Sequence, residues 1–409
     1  MLNPDVPPQP RQFLLNLFQQ GLAAVNGRSC VHAALRQHAF PDNLYLVAIG
    51  KAADAMAAGA IDAVGGGLRA GLVITRHGHQ DTPVYRDPRI VSLEAGHPLP
   101  DEQSLAAGNA LRLFLANAPA DAHFLFLISG GTSSLVEVPV EGVSLANLRS
   151  LTRWLLASGL PIDAVNRVRT AFSQIKGGRL LHDLAGRHAE LLLISDVPDD
   201  VPAHIGSGLL LPVVPRPLPE LPPQFADLPQ SSLPEIEPSN VSTRILATNR
   251  QAMQAIMTAA PISGWPAHLH ESLPAPEAGA CGECIADFLM DTKPGVHIWG
   301  GETTVQLPAH PGRGGRNQML ALAAAQRITG HEGIYLLAAG TDGTDGNSCD
   351  AGALVDGGSL IRGTDAAFDA RECLSRADAG AFLEASGDLV YTGPTGTNVM
   401  DLVIALKEQ

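Results

Sequence analysis

Three aspartates alternate with glycines in a short loop that follows an apolar run. The stretch YLLAAGTDGTDGNSCDAGA, residues 335–353, contains Asp342, Asp345 and Asp350. Carboxylates spaced this closely can hold Mg²⁺, which keeps several waters and shares the oxygens of a phosphate. An EF-hand is excluded, because a count from Asp342 puts Thr344 at the third ligand position. The alternative is a pair of tight turns, for which Asp and Gly are the usual residues.

A second candidate loop, SGGTSS at residues 129–134, follows the strand-like run FLFLI. Its two glycines allow a tight turn close to a ligand, and its amides and hydroxyls can bond phosphate oxygens. The alternative is a strand-to-helix turn that needs glycine only for its shape. No GxxxxGK[ST] or GxGxxG motif follows any strand, so neither a P-loop nor a standard dinucleotide site is supported. The predicted substrate or phosphate ligands here are Ser129, Gly130, Gly131, Thr132 and Ser133.

Two further segments place cations beside glycines. GKAAD, residues 50–54, puts Lys51 directly after a strand, on the side of a parallel sheet where ligands bind. NRVRTAFSQIKGG, residues 166–178, spaces Arg169, Ser173 and Lys176 four and three residues apart, which predicts one helix face. An exposed lysine and a solvated helix face with a glycine cap are the alternatives. Ser173 and Lys176 match SxxK, but the companion SDN and KTG motifs of serine β-lactamases are absent.

A zinc site is a weaker alternative. CGEC, at Cys281 and Cys284, has His268 and His270 upstream, and two cysteines with two histidines can complete a tetrahedron. The spacing differs from that of zinc fingers, so the start of an amphipathic helix is the preferred interpretation.

The elements that must position these residues follow one pattern. Apolar runs such as LYLVAIG, FLFLISG, ELLLISD, VHIWGG and IYLLAAG end in glycine-rich loops before helical segments. This predicts βαβ units and a mainly parallel, covered sheet whose ligands bind beyond the carboxyl ends of the strands. The proline-rich stretch 209–240 cannot form a continuous helix, so we interpret it as a linker or surface excursion. The predicted domains are residues 1–240 and 241–409.

Composition narrows the class of partner. The net charge of −14 argues against nucleic acid and anionic membranes, both of which attract basic surfaces. No long apolar run or signal peptide is present, and five dispersed cysteines fit a reducing compartment, so we expect a cytoplasmic protein. A monomer and a homodimer both remain open.

Nine blocks follow one another along the chain: GKAADAM, EAGHPLPDEQS, ISGGTSSL, NRVRTAFSQIKGGRL, LLLISDV, GGETTV, GRGGRNQ, GTDGTDG and TGPTGTNVMDLVI. Together they resemble the class II glycerate kinases, two-domain enzymes whose carboxyl-terminal part is called the MOFRL domain. The resemblance implies an α/β protein with a Rossmann-like parallel-sheet N-terminal domain and a smaller α/β C-terminal MOFRL domain. It also implies transfer of the γ-phosphoryl group of ATP, with Mg²⁺, to D-glycerate, usually giving 2-phosphoglycerate.

The same resemblance implies roles for individual residues. Lys51 and Arg316 resemble the family's active-site cations, for the transferring phosphoryl group and the glycerate carboxylate in an order left open. Asp196 is the candidate that orients or deprotonates the attacking hydroxyl, with a magnesium ligand or a helix cap as alternatives. The predicted substrate or phosphate ligands also include Asn166, Arg169 and Lys176. Glu302, Asp342 and Asp345 are assigned to the nucleotide and metal side, with Asp342 and Asp345 as the Mg²⁺ ligands.

Two other functions compete with the kinase. One is a hydroxypyruvate reductase that uses NAD(P)H, which the missing GxGxxG motif disfavours. The other is a non-catalytic relative that binds a sugar acid, suggested by the shortened, proline-rich segment after Gly208.

Overall fold

The computed structural model describes residues 9–36, 41–80, 82–214, 216–232 and 240–408. Its α-helices are α1 (Pro10–Ala24), α2 (Gly27–Leu35), α3 (Ala53–Val64), α4 (Glu102–Asn117), α5 (Thr132–Leu135), α6 (Leu145–Ala157), α7 (Ile162–Ala171), α8 (Leu180–Leu184), α9 (Pro223–Ala226), α10 (Asn249–Ala259), α11 (Ala278–Asp291), α12 (Arg316–Arg327), α13 (Ser359–Asp365), α14 (Ala370–Ser375) and α15 (Ala379–Ser386). Its strands are β1 (Leu44–Ile49), β2 (Leu68–Arg76), β3 (Ile90–Ala95), β4 (His123–Ile128), β5 (Ala189–Ile194), β6 (Val241–Ala247), β7 (Ala267–Leu269), β8 (Gly295–Gly301), β9 (Ile334–Gly340), β10 (Gly352–Asp356), β11 (Leu389–Val390) and β12 (Asp401–Lys407).

The chain divides into two compact units, each with its own sheet. The parallel-sheet unit comprises Asn26–Thr248 together with Gly396–Asn398. The mixed-sheet unit comprises the described residues up to Val25, Asn249–Thr395 and the described residues from Val399. Within the described ranges, none of the helices has the length and apolar character that spanning a bilayer requires.

The parallel-sheet unit contains six strands in the order β3-β2-β1-β4-β5-β6. All the neighbouring strands are parallel, and Ile49 at the end of β1 is in register with Ile74 and Ile128. This is the strand order of Rossmann folds, in which ligands bind where the order reverses, between the first and fourth strands. The uninterrupted apolar runs of β1, β4 and β5 are buried because helices cover both faces of such a sheet. The predicted Rossmann-like domain is confirmed.

The mixed-sheet unit also contains a six-stranded sheet, in the order β11-β10-β9-β12-β8-β7. Strand β12 lies between β8 and β9 and is antiparallel to both, whereas β7 and β8 are parallel. The prediction of a smaller α/β domain is confirmed, but the expectation that VHIWGG and IYLLAAG belong to a mainly parallel sheet is wrong. The terminal strand β12 separates them, and their apolar composition carries no information on strand direction.

The predicted boundary at residue 240 differs from the observed division in two respects. Strand β6 (Val241–Ala247) pairs with β5, so the parallel-sheet unit continues to Thr248. Helix α1, at the other end of the chain, packs in the mixed-sheet unit, where Arg11 pairs with Asp356 and with Asp388, the latter at 2.9 Å. A single boundary in the sequence cannot describe this division, because α1 belongs to the same unit as residues 249–395.

The proline-rich stretch is not a linker between the units. Its Leu209, Leu210 and Phe225 are buried, and Phe225 lies 6.0 Å from Trp154 between ring centroids. Its part at residues 231–232 is held by Arg179, whose guanidinium donates to the carbonyls of Ser231 and Ser232 at 3.1 and 3.0 Å. The stretch therefore belongs to the parallel-sheet unit; residues 215 and 233–239 lie outside the described residues.

The two histidines of the zinc alternative belong to an aromatic cluster, whereas its two cysteines lie in helix α11. His270 stacks on Trp299 with 4.2 Å between ring centroids, and its Nε2 lies 3.1 Å from Nδ1 of His297. Cys281 is buried in α11, and no group of metal-ligating side chains suited to an ion occurs in the described part of the chain. CGEC is therefore a helix segment, as the preferred interpretation had it.

The stability of this cluster should depend on pH. Burial lowers the pKa of His297 to about 4, against an ordinary value of 6.5. Because the unfolded chain binds this proton first as the pH falls, the free energy of unfolding should decrease between about pH 6.5 and 4, by about 3 kcal/mol at most. It should be flat above pH 7. Urea unfolding at pH 5 and pH 7 measures this, and His297→Phe should weaken the difference.

The exposed His310→Phe variant is the matched control and should leave the pH dependence unchanged. A His297→Phe variant with the full wild-type decrease at pH 5 would show that another group causes it.

Candidate active site

Two loops meet where the parallel sheet reverses its strand order. Gly50 and Lys51 follow β1, and the loop of residues 129–133 follows β4. The backbone N–H of Lys51 donates to the carbonyl of Gly130 at 2.9 Å. The N–H of Ala52 donates to Oγ of Ser129 at 3.0 Å. These bonds join the two loops at the edge of the sheet where Rossmann folds bind ligands.

The backbone amides of residues 130–133 are available to an anion. Within the loop of residues 129–133, the hydroxyl of Thr132 donates to the carbonyl of Ser129 at 2.7 Å. The four consecutive N–H groups donate to no acceptor within the described ranges, although Gly130 and Thr132 are buried. Buried amides without partners are costly, and successive amides in a turn form an anion-binding concavity. We call residues 129–133 the anion loop.

One end of the anion loop is tied to helix α7. Oγ of Ser133 lies 2.7 Å from Oγ of Ser207, and Ser207 donates to Oδ1 of Asn166 at 3.0 Å. The amide nitrogen of Asn166 donates to the carbonyl of His204 at 3.0 Å. His204 is itself held by Asp199, with 2.8 Å between Nδ1 and the carboxylate. Asn166 therefore fixes the loop through Ser207.

The other end of the anion loop lies against Asp196 and Asn398. A Cβ atom added to Gly130 would lie 2.0 Å from both Oδ2 of Asp196 and Nδ2 of Asn398. The two side chains are within 3.5 Å of each other. Asp196 is partly exposed, two residues beyond the end of β5. This places a carboxylate directly beside the amides that could bind an anion.

Gly130→Ala should therefore displace Asp196 and Asn398. Overpacking of this kind costs about 1–3 kcal/mol of the free energy of unfolding. The measurement is urea denaturation of the variant and the wild type. Gly66→Ala is the control, because Gly66 is exposed and its added Cβ would meet no atom within 4 Å. Equal stability of the two variants would show that the space beside Gly130 is not tight.

Other residues near the anion loop were not assigned by the sequence. A Cβ on Gly131 would lie 3.1 Å from Cδ2 of His97 and 3.2 Å from Cγ of Lys51. The signals for His97 and Asn398 were present, since both lie in the blocks EAGHPLPDEQS and TGPTGTNVMDLVI. His204 and Ser207 lie in HIGSG, residues 204–208, to which the sequence analysis assigns no role.

Lys176 is buried in an ion pair, so its predicted contact with phosphate needs correction. The helix α7 ends at Ala171, so Arg169, Ser173 and Lys176 do not share a helix face. Lys176 is fully buried and forms an ion pair with Glu137, which also accepts from Oγ of Ser173 at 2.5 Å. Burial lowers the pKa of Lys176, and Glu137 acts in the opposite direction. The SxxK match is thus part of a buried structural network.

In the mixed-sheet unit, Arg316 is held between two carboxylates. Its Nε donates to Asp401, and its Nη2 donates to Glu302 at 2.6 Å. Burial lowers the pKa of Arg316, but Asp401 and Glu302 outweigh it and raise the pKa well above the ordinary value. Its Nη1 makes no hydrogen bond within the described residues. Asp401, the first residue of β12, was not assigned by the sequence.

The predicted magnesium ligands Asp342 and Asp345 accept hydrogen bonds from their own loop and from helix α12. Asp345 caps helix α12, accepting from the N–H of Asn317 at 3.1 Å and of Gln318 at 2.8 Å. Burial raises the pKa of Asp345 to about 7. Oδ1 of Asp342 accepts from the N–H and hydroxyl of Thr344 at 3.0 and 3.1 Å, as in an Asx turn. The carboxylate of Asp345 faces helix amides and therefore does not fit a Mg²⁺ ligand.

A Rossmann-type parallel sheet with an anion loop at its switch point, followed by a mixed-sheet α/β unit, defines a two-domain ligand-binding protein. Residues 13–217 match the profile of a domain described as a domain of unknown function, DUF4147, and residues 295–401 match the MOFRL family. The chain belongs to the MOFRL family.

The chain is similar throughout to relatives that carry functional names. A D-glycerate 2-kinase of Thermotoga maritima is 36% identical over 382 residues, covering 89% of this chain and 91% of the relative. A protein of Agrobacterium vitis named putative hydroxypyruvate reductase is 37% identical over 418 residues, covering 96% and 93%. The crystal structure of a glycerate kinase from Thermotoga maritima superposes with a TM-score of 0.80 and 33% identity, covering 97% of this chain and 99% of that one.

Proposed function

We propose that this protein is a kinase that transfers the γ-phosphoryl group of ATP to D-glycerate, giving 2-phospho-D-glycerate. The observation that carries the proposal is the anion loop, whose amides have no acceptor among the described residues and lie beside Lys51 and Asp196. Its support is that relatives covering nearly the whole chain are named glycerate 2-kinase. Phosphoryl transfer needs positioning and charge neutralisation more than covalent chemistry, and this loop offers both.

In the proposed reaction the glycerate hydroxyl oxygen attacks the γ-phosphorus, and the bond from that phosphorus to the β–γ bridging oxygen breaks to release ADP. Asp196 accepts the hydroxyl proton as a general base. Lys51 and the amides of the anion loop stabilise the negative charge on the transferring phosphoryl group. Within the mixed-sheet unit, Nη1 is the donor of Arg316 that Asp401 and Glu302 leave available for an anion.

Magnesium enters the proposal as part of the ATP substrate, where a divalent cation offsets phosphate charge. Asp345 is not proposed as its ligand, and Asp342 and Glu302 are kept on the nucleotide side only. We also propose a cytoplasmic location, which the dispersed cysteines support.

The experiment is a coupled assay for ADP with MgATP and D-glycerate, run beside NADH oxidation with hydroxypyruvate. ADP that appears only with glycerate supports the kinase. NADH oxidation without glycerate-dependent ADP would replace the proposal with the reductase that one group of relatives is named for. Glycerate binding by calorimetry with neither activity would favour the non-catalytic alternative.

A further inference from the structure

We propose that Arg169 binds the carboxylate of the substrate and thereby makes the enzyme specific for 2-hydroxy acids phosphorylated on the hydroxyl beside that carboxylate. This inference rests on the proposed kinase function. The inference goes beyond that function because it names the side chain that binds the substrate carboxylate and links this side chain to the position of phosphorylation.

The position of Arg169 follows from its neighbours on two sides. It lies one helical turn after Asn166 on α7, so the two side chains share a face. Asn166 is bonded through Ser207 to Ser133, at one end of the anion loop. Asp196, beside Gly130 at the other end, interacts electrostatically with Arg169. The face of α7 that carries Asn166 and Arg169 therefore adjoins the anion loop.

The guanidinium of Arg169 differs from those of Arg179 and Arg316 in its hydrogen bonding within the described residues. It makes no ion pair and no hydrogen bond within the described residues, although it is only partly exposed. Arg179, by contrast, donates to the carbonyls of Thr170 and Lys176 at 2.8 and 3.0 Å. Arg316 is bound by Asp401 and Glu302. A desolvated cation without a bonded anion is suited to bind one from a ligand.

The electrostatic surroundings agree with this geometry. Burial lowers the pKa of Arg169, while Asp196 and Glu137 act to raise it from beyond hydrogen-bond distance. Neither of these two carboxylates forms a hydrogen bond with Arg169, whereas a substrate carboxylate could bond to it directly. A planar guanidinium can grip a carboxylate through two parallel bonds, which fixes orientation as well as charge.

Asn166, one helical turn before Arg169, and Asp196 adjoin the two ends of the same anion loop, and this arrangement selects one hydroxyl. In a 2-hydroxy acid the hydroxyl and the carboxylate are on adjacent carbons, so the groups that bind them must also be neighbours. If Arg169 holds the carboxylate, the 2-hydroxyl is the one presented to Asp196. The 3-hydroxyl is one carbon farther away, so the geometry favours 2-phosphorylation.

The test compares D-glycerate with glycerol, in which a hydroxymethyl group replaces the carboxylate. For Arg169→Met, kcat/KM for D-glycerate should fall about 10- to 150-fold through KM, the range for a hydrogen bond to a charged group. The KM for ATP should not change, and the ratio of kcat/KM for D-glycerate to that for glycerol should fall by a similar factor. In Arg169→Lys, which keeps the charge but cannot form two parallel hydrogen bonds, kcat/KM for D-glycerate should fall less. Arg167→Met is the matched control, because Arg167 on the same helix pairs with Asp163 at 2.5 Å.

Several results would overturn the inference. An equal loss with glycerate and glycerol would show that Arg169 acts on the phosphoryl group or on folding. An unchanged preference for glycerate in both variants would show that another residue reads the carboxylate. A wild-type enzyme without glycerate-dependent ADP release would instead refute the proposed function itself, and calorimetric binding of D-glycerate to wild type and Arg169→Met would then still test the carboxylate contact.

Discussion

Asp196→Asn should lower kcat for D-glycerate by about 10²- to 10⁴-fold, the range for losing a general base. The amide keeps nearly the same shape beside Gly130 and Asn398 but cannot accept the hydroxyl proton. The KM for ATP should stay close to that of the wild type, because the proposal gives Asp196 no contact with the nucleotide. Steady-state ADP release measures both constants.

Asp227→Asn provides the matched control for that variant. Asp227 is exposed in the same unit and has no part in the proposed site, so its kinetics should be those of the wild type. Wild-type kcat in Asp196→Asn would remove Asp196 from proton transfer. Among the residues placed here, His204, oriented by Asp199 at 2.8 Å, would then be the next base to test.

Lys51→Ala should cost about 3–4 kcal/mol of transition-state stabilisation, as for the loss of one preorganised electrostatic donor. The loss should appear mainly in kcat, because charge on the transferring phosphoryl group changes between ground and transition states. The backbone N–H of Lys51 would still bond to Gly130, so the anion loop should keep its shape. Single-turnover ADP formation separates this chemical step from product release.

Lys293→Ala is the control for the removal of a lysine, because Lys293 is exposed in the mixed-sheet unit. Equal turnover of Lys51→Ala and Lys293→Ala would contradict the role of Lys51. A rise in the KM for D-glycerate with unchanged kcat would move Lys51 from the phosphoryl group to the carboxylate.

The parts of the fold that can be predicted from the sequence are those that depend on short runs of neighbouring residues. Continuous apolar runs that end in glycine-rich loops correctly indicate β1, β4 and β5, and with them the edge of the sheet where Lys51 and the anion loop meet. This works because a buried parallel strand needs apolar residues on both faces. The strand directions in the mixed-sheet unit were not predictable, because β12 joins its neighbours only through pairing with distant residues.

The residues that sequence reasoning misplaced have partners far along the chain. Lys176 has the spacing of a ligand-binding lysine, but Glu137, 39 residues earlier, holds it in the interior. Asp345 belongs to a loop rich in carboxylates, but both of its carboxylate oxygens accept hydrogen bonds from backbone N–H groups at the start of α12. A single sequence shows which groups can do chemistry, whereas tertiary contacts decide which of them stay available.

The central claim is that D-glycerate is phosphorylated on the hydroxyl beside its carboxylate. The most direct measurement is proton-coupled phosphorus NMR of the product formed from MgATP and D-glycerate. We predict a new phosphomonoester signal split into a doublet by the single methine proton of 2-phospho-D-glycerate. A triplet from the methylene protons of 3-phosphoglycerate, or no phosphomonoester at all, would contradict the claim.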